Sequence, residues 1–282
     1  MGHKLIIHGG FFSESHTNLE VKLAKQEALS DIVRRSYKYL NSHSALETSV
    51  FAVSLLEDCE LFNAGIGSQI QSDGKIRLSA GLMDGGSGKF SGVINIEDVR
   101  NPILIAEKLM SFDDRVLSGS GALDFARSNG FGYFNTETQQ RRQEYDRKLQ
   151  ASIGLGTVGC VALDKTGEIA TATSTGGKGF EIPGRVSDSA TVAGNFANQF
   201  AGISCTGVGE DIVSSGLAVK IVTRVSDGMS LEAASQKSFQ ELKVNDGFAG
   251  VIGISANGDL YHCDSHPYMV WAAYDGELSV FV

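Results

Sequence analysis

Apolar residues along this chain keep two different periods, and the switches between them mark its elements. Residues 4–7 form a short apolar run that stops at His8-Gly9-Gly10, the pattern of a buried strand ended by a glycine turn. Val21, Ala24, Ala28, Ile32 and Leu40 then recur at helical steps. Ser44-Ala45-Leu46-Glu47 has the spacing of a capping box and opens a second helix with Leu46, Val50 and Val53 on one face, ending near Cys59. Asn63-Ala64-Gly65-Ile66-Gly67 cannot be regular helix. Strands are predicted over 76–83 and 90–96, on either side of a glycine-rich turn at 84–88. Asn101 as a cap, with Pro102 at the first helical position, starts a helix to about Met110. Another runs from about Ala122 to Ser128 and closes at Gly130.

The pattern breaks in mid-chain. Residues 136–144 contain no aliphatic side chain, so they have nothing to bury, and the stretch 134–156 reads as an exposed linker. The most apolar block follows it: strands over 157–163 and 168–174 joined by Asp164-Lys165-Thr166-Gly167. A second hairpin is predicted over 251–255 and 259–263. Between the hairpins, Ile212, Val219, Val222 and Val225 mark one helix capped by Gly228, and Leu231, Ala234 and Leu242 mark another. Hairpins separated by helices, rather than strand–helix alternation, give an α+β class with antiparallel sheets. Two sheets face to face with helices outside would use every element, within a single domain spanning 1–282.

Composition narrows the function. The chain has 282 residues, 42% hydrophobic and 20% charged, with 34 glycines but 3 prolines. A net charge of −9 and the lack of any Lys/Arg run argue against a nucleic-acid surface. Cys59, Cys160, Cys205 and Cys263 lie far apart with no Cys-x-x-Cys pair, as expected of free thiols in a reducing compartment. The start of the chain lacks a signal-peptide pattern, and no apolar run nears the ~20 residues of a membrane span. The expectation is a cytoplasmic protein with no membrane partner.

Common catalytic spacings are missing: there is no phosphate loop and no His-Glu-x-x-His. His262-Cys263-Asp264-Ser265-His266 is the one histidine cluster, and strand alternation would send its ligands to different faces. What remains is rich in threonine: Gly156-Thr157-Val158-Gly159 where the linker meets a buried strand, Thr173-Ser174-Thr175-Gly176-Gly177 one hairpin away, and Ser204-Cys205-Thr206-Gly207. A threonine hydroxyl needs a base beside it, and one solution is the residue's own amine once the chain has been cut in front of it. An exposed linker ending in Gly-Thr is where such a cut could occur. Each piece also has a plain structural reading, since threonine fits the pleat and Gly-Gly fits a turn. Their combination in this order shifts the balance.

The same residues resemble the plant-type L-asparaginase/isoaspartyl peptidase family, N-terminal nucleophile hydrolases of the threonine type. The resemblance is carried by Ile7-His8-Gly9-Gly10, Leu61-Phe62-Asn63-Ala64-Gly65-Ile66-Gly67, Met83-Asp84-Gly85 and Arg100-Asn101-Pro102. Beyond the linker it continues through residues 156–164, Ala172-Thr173-Ser174-Thr175-Gly176-Gly177, Pro183-Gly184-Arg185-Val186 with Asp188, and Ser204-Cys205-Thr206-Gly207 with Gly209-Glu210. It implies a four-layer αββα sandwich and a precursor that cuts itself between Gly156 and Thr157 into 1–156 and 157–282. Two such heterodimers would associate. It also implies hydrolysis of isoaspartyl dipeptides and L-asparagine, with no cofactor required. By that resemblance Thr157 is the nucleophile and its amine the base, while Thr175 orients it. Thr206 and the Gly207 amide form the oxyanion hole, and Asn63 assists. Arg185 holds the substrate's α-carboxylate and Asp188 its α-ammonium. Backbone carbonyls of Leu56, Glu57, Cys59, Phe62, Ala64 and Ile66 would hold a structural Na⁺.

The sequence departs from the family at Phe11-Phe12, where small residues are usual, which bears on pocket size and substrate range. Asn195-Phe196-Ala197-Asn198 and Cys263-Asp264-Ser265-His266-Pro267 also differ from the usual segments. A glycosylasparaginase and a non-catalytic aspartyl-binding relative remain as alternatives.

Overall fold

The computed structural model describes residues 2–11, 18–147 and 156–282. The chain opens with β1 (Lys4–Phe11), α1 (Leu19–Leu40) and α2 (Ala45–Glu57). The hairpin β2 (Leu78–Asp84) and β3 (Lys89–Ile96) follows, then α3 (Pro102–Leu109), β4 (Val116–Ser118), α4 (Gly119–Ser128) and α5 (Gln139–Asp146). Past the linker come β5 (Val158–Leu163), β6 (Ile169–Thr175), β7 (Asn195–Ala197) and β8 (Ala201–Gly207). Helices α6 (Gly209–Ser215), α7 (Leu217–Ser226) and α8 (Leu231–Val244) lead to β9 (Ala249–Ser255), β10 (Leu260–Asp264), β11 (Met269–Tyr274) and β12 (Leu278–Val280).

One sheet has the order β12-β11-β1-β5-β6-β2-β3-β4 and the other β10-β9-β8-β7. All pairs are antiparallel except β3 with β4. Strand alternation sorts the side chains into layers. Leu5, Ile7, Val158, Cys160 and Ala162 face α1, α2 and α3, whose Leu29, Val53 and Ile103 complete the larger core. Ala201, Ile203, Cys205, Ala249 and Val251 face α7 and α8. Ile6, Val161, Leu163, Ile169, Ile252 and Ile254, from the opposite faces of the same strands, pack between the sheets. The result is the four-layer αββα sandwich expected from the sequence, α+β in class.

The capping box of α2 is formed: Glu47 N donates to Ser44 Oγ at 3.2 Å and Ser44 N to Glu47 Oε2 at 2.9 Å. Pro102 begins α3 as predicted, but Asn101 makes no side-chain cap. The buried Glu57 takes that place, accepting from Ile103 N at 3.2 Å, and burial pushes its carboxyl up to about 8. The helix predicted through Ile212, Val219, Val222 and Val225 is two, α6 and α7, because Gly216 turns left-handed (φ 57°) between them. The polar linker contains a helix too. No residue of α5 is buried. It is held by polar contacts instead: Thr138 Oγ1 accepts from Arg141 N at 3.2 Å, Arg141 Nε donates to Gly67 O at 2.8 Å, and Tyr145 Oη donates to Ser72 O at 3.1 Å. Residues 148–155 of the predicted linker, and Phe12, lie outside the described residues.

Candidate active site

The three threonines singled out from the sequence all face the space between the sheets. Thr157 shares its face with Val161 and Leu163, and Thr175 shares its face with Ile169, all in the inter-sheet layer. Thr206 lies on the face of β8 opposite to Ile203 and Cys205, which pack against the helices, so it too faces inward. All three are buried. Thr157 Oγ1 donates to Thr175 Oγ1 at 3.3 Å, and Gly177 N donates to the same Thr175 oxygen at 3.2 Å. The Thr175 hydroxyl is thereby fixed beside the nucleophile candidate.

Asn63 ties the Gly156–Thr157 junction to the end of β6. Its backbone N donates to Gly156 O at 3.2 Å and its backbone O accepts from Gly176 N at 2.9 Å. Its side-chain Nδ2 donates to Gly177 O at 2.5 Å while Oδ1 accepts from Gln69 N at 2.9 Å. The carbonyl in front of Thr157 is therefore polarised by a fixed backbone donor.

Beneath the threonines lies a polar group that sequence reading left without a role. His8 Nε2 sits 2.9 Å from Ser204 Oγ, which is 2.7 Å from Thr173 Oγ1. Burial holds the imidazole neutral, pulling its pKa down to about 3 against the opposing pull of the Thr157 backbone. The sheets approach closely here because position 159 has no side chain; a Cβ there would collide with Ser204 Oγ and His8 Nε2. Alternation held the clue: His8 has the parity of Ile6, which packs between the sheets.

Arg185 and Asp188 come together at Gly209. A Cβ at 209 would stand 2.6 Å from Arg185 Nη2 and 2.9 Å from Asp188 Oδ1. Gly209 follows the Thr206-Gly207 turn by two residues, so clamp and oxyanion candidates share one short segment. Asp188 Oδ2 is buried with no hydrogen-bond partner. Burial pushes this carboxyl up to about 7, although the Arg185 charge pulls the other way. A buried carboxylate oxygen without a donor is costly, and an incoming ammonium would satisfy it. Arg185 itself is paired: Nε and Nη2 donate to Glu210 Oε1 and Oε2 at 3.0 and 2.9 Å. Those hydrogen bonds hold the Glu210 carboxyl down at about 2.

Phe11 packs edge-on against Phe248 at 4.5 Å between ring centres, and Phe248 stacks on His266 at 4.4 Å. Phe11 is buried, filling the space beside Gly250. His262 lies apart from His266, stacked on Trp271 at 3.9 Å. In the candidate Na⁺ loop, Leu56 O, Glu57 O and Cys59 O accept from the backbone N of Cys59, Ile66 and Phe62 at 3.2, 2.8 and 3.2 Å. Carbonyl oxygens are the ligands a hard cation takes, so the donor set is of the right kind. A cavity of 620 Å³ lined by His43, Asp84, Asp164 and Glu168 lies at the other end of the β5–β6 hairpin from Thr157 and holds none of the candidate residues. No helix among the described residues is long and apolar enough to cross a membrane.

An αββα sandwich with a Gly–Thr bond at the head of a central strand, and a second threonine hydrogen-bonded to the first, is the architecture of an N-terminal nucleophile hydrolase. Comparison with known proteins gives the family. A family model described as asparaginase matches residues 1–280, and the chain belongs to that family. It is 44% identical to an isoaspartyl peptidase/L-asparaginase of Nostoc sp., with 97% of this chain and 92% of the relative covered. It is 37% identical to the isoaspartyl peptidase of Escherichia coli, covering 92% and 89%, and 33% identical to a plant-type L-asparaginase of Pyrococcus furiosus, covering 95% of each.

Proposed function

We propose that this chain is a threonine amidohydrolase of the cytoplasm that releases L-aspartate from isoaspartyl dipeptides and L-asparagine, after cutting itself between Gly156 and Thr157. The observation that carries the reading is the hydrogen bond between buried Thr157 and Thr175 at a Gly–Thr junction, with Thr206 on the inward face of the opposing sheet. Relatives named isoaspartyl peptidase and L-asparaginase support the choice of substrates.

In the self-cleavage step, Thr157 Oγ1 attacks the Gly156 carbonyl, whose oxygen accepts from Asn63 N. The Gly156 C–Thr157 N bond breaks as the Oγ1 proton passes to that nitrogen, leaving an ester that water cleaves to a free Gly156 carboxylate and a free Thr157 amine. That amine, whose conjugate ammonium has a pKa of ~7.7–8.0, is a base suited to neutral pH. In turnover, that amine takes the Thr157 Oγ1 proton as the oxygen attacks the substrate's side-chain carbonyl. Thr206 and the Gly207 amide donate to the developing oxyanion, and the leaving ammonia or amino acid departs with the proton. Water then cleaves the acyl ester. Arg185 receives the α-carboxylate and Asp188 the α-ammonium, where the partnerless Oδ2 is satisfied. Asn63 holds the junction and the Thr175 turn in register. Na⁺ bound to the carbonyls of Leu56, Glu57, Cys59, Phe62, Ala64 and Ile66 would stiffen the loop that presents Asn63. Two cleaved heterodimers associate in the active form.

The test is intact-mass spectrometry under denaturing conditions followed by an isoaspartyl-dipeptide assay. Fragments 1–156 and 157–282 with dipeptide hydrolysis are expected, and Thr157→Ala should abolish both. A chain that never splits would put the aspartyl-binding alternative first. Turnover of a glycosylated asparagine without turnover of dipeptides would reverse the substrate assignment.

A further inference from the structure

The Arg185–Glu210 pair is bidentate but one-sided. A guanidinium has two edges that can each grip a carboxylate: the side edge, Nε with Nη2, and the end edge, Nη1 with Nη2. Glu210 occupies the side edge, at 3.0 and 2.9 Å. Nη1 makes no hydrogen bond to a described residue, so the end edge stays available. The backbone of Arg185 is fixed as well, since its carbonyl accepts from Asn95 Nδ2 at 3.1 Å. Lys178, three residues past Thr175, reaches the same Glu210 oxygen as Arg185 Nε, at 3.3 Å.

We propose that Glu210 is the positioning residue of the substrate clamp: it holds Arg185 by the side edge so that the end edge meets the α-carboxylate, while Lys178 keeps the group net positive. This rests on the reading of Arg185 as the carboxylate clamp. Charge counting agrees with it. Arg185, Lys178 and Glu210 leave one positive charge, and Asp188 carries one negative charge once ionised, matching the two charges of an α-amino acid. A free arginine has a large rotamer entropy to lose on binding. Glu210 removes that loss in advance, so its contribution falls on substrate affinity. The Glu210 side chain is about half exposed (51%), and a pair this open adds little to folding stability. A purely structural role would therefore leave affinity unmoved.

The experiment compares wild type with Glu210→Gln on two amides: L-asparagine and 3-aminopropanamide, which is asparagine without its α-carboxylate. For L-asparagine, KM should rise about tenfold, the scale of one lost charge-assisted contact, with kcat nearly unchanged. For 3-aminopropanamide, kcat/KM should not change. Glu210→Asp, which restores the charge on a shorter arm, should recover part of the loss. An unchanged KM for L-asparagine overturns the proposal, as does an equal loss on both amides. A lower KM would make Glu210 a competitor for Arg185 and also overturns it. L-Aspartate titrated calorimetrically into both proteins separates this proposal from the hydrolase reading. Aspartate binding weakened by Glu210→Gln in a protein that hydrolyses nothing keeps the clamp and defeats the enzyme.

Discussion

The layers outside the sheets and the layer between them are built from the same strands yet differ in chemistry. Against the helices, β1, β5 and β8 present aliphatic residues and two buried cysteines, Cys160 and Cys205. Between the sheets, the other parity begins with Ile6, Val161, Leu163 and Ile169 at one end. It ends at the other with His8, Thr157, Thr173, Thr175, Ser204 and Thr206, all buried. The outer layers carry the stability of the fold. A buried polar atom without a partner, such as Asp188 Oδ2 in the loop between β6 and β7, costs the fold some of that stability. The candidate site thus lies where the inward faces of these strands change from aliphatic to polar along their length.

The sharpest way to break this comparison is to damage each layer and ask which property fails. Leu82→Ala, in the larger outer core, should cost about 2–5 kcal/mol in denaturant unfolding while leaving KM for L-asparagine unchanged. A comparable shift in KM would show that the layers are not separable. Thr206→Val keeps the shape but removes a hydroxyl, and should lower kcat by about 10²–10³-fold with a normal unfolding midpoint. Steady-state kinetics beside calorimetry decides it.

Asp188→Asn sharpens the comparison through pH. The folded carboxyl titrates at about 7, above its unfolded value, so the native state binds the extra proton between those values. Stability from this group is present at acid pH and lost as pH rises toward 7. In the empty protein, Asp188→Asn should therefore raise the melting temperature at pH 8 more than at pH 5. A shift of a few degrees is expected, since each kcal/mol is worth roughly 2–4 °C in a domain of this size. The same substitution should raise KM. A melting temperature that moves equally at both pH values would contradict the assignment. The smallest effect is expected at Thr138→Ala, which removes the α5 cap; about 1 kcal/mol of local stability should go, visible as faster amide exchange confined to 139–146.

Much of the sandwich was legible because strand and helix periods are local signals. The hairpins β5–β6 and β9–β10 and the capping box at Ser44 could all be read from spacing. Helix α5 was hidden because no residue of it is buried, so it has no apolar stripe to detect. The break at Gly216 was present in the sequence but was masked by apolar residues that keep helical steps on both sides of it. The Arg185–Glu210 pair has no signature at all. It joins a loop to the first turn of α6 across 25 positions, and only the fold brings them together.

The order of strands in the larger sheet has a consequence for how the protein could be remade. Strands from before residue 156 (β1, β2, β3, β4) interleave with strands from after it (β5, β6, β11, β12), and β1 lies between β11 and β5. A chain cut at the head of β5 would leave two pieces that neither can shed without dismantling the sheet. Such a molecule folds once as a single chain, at a rate independent of concentration. Denatured after the cut, it could return only by collision of two partners, so recovery would depend on dilution. The same sequence would have a first folding and a second one that obey different rate laws.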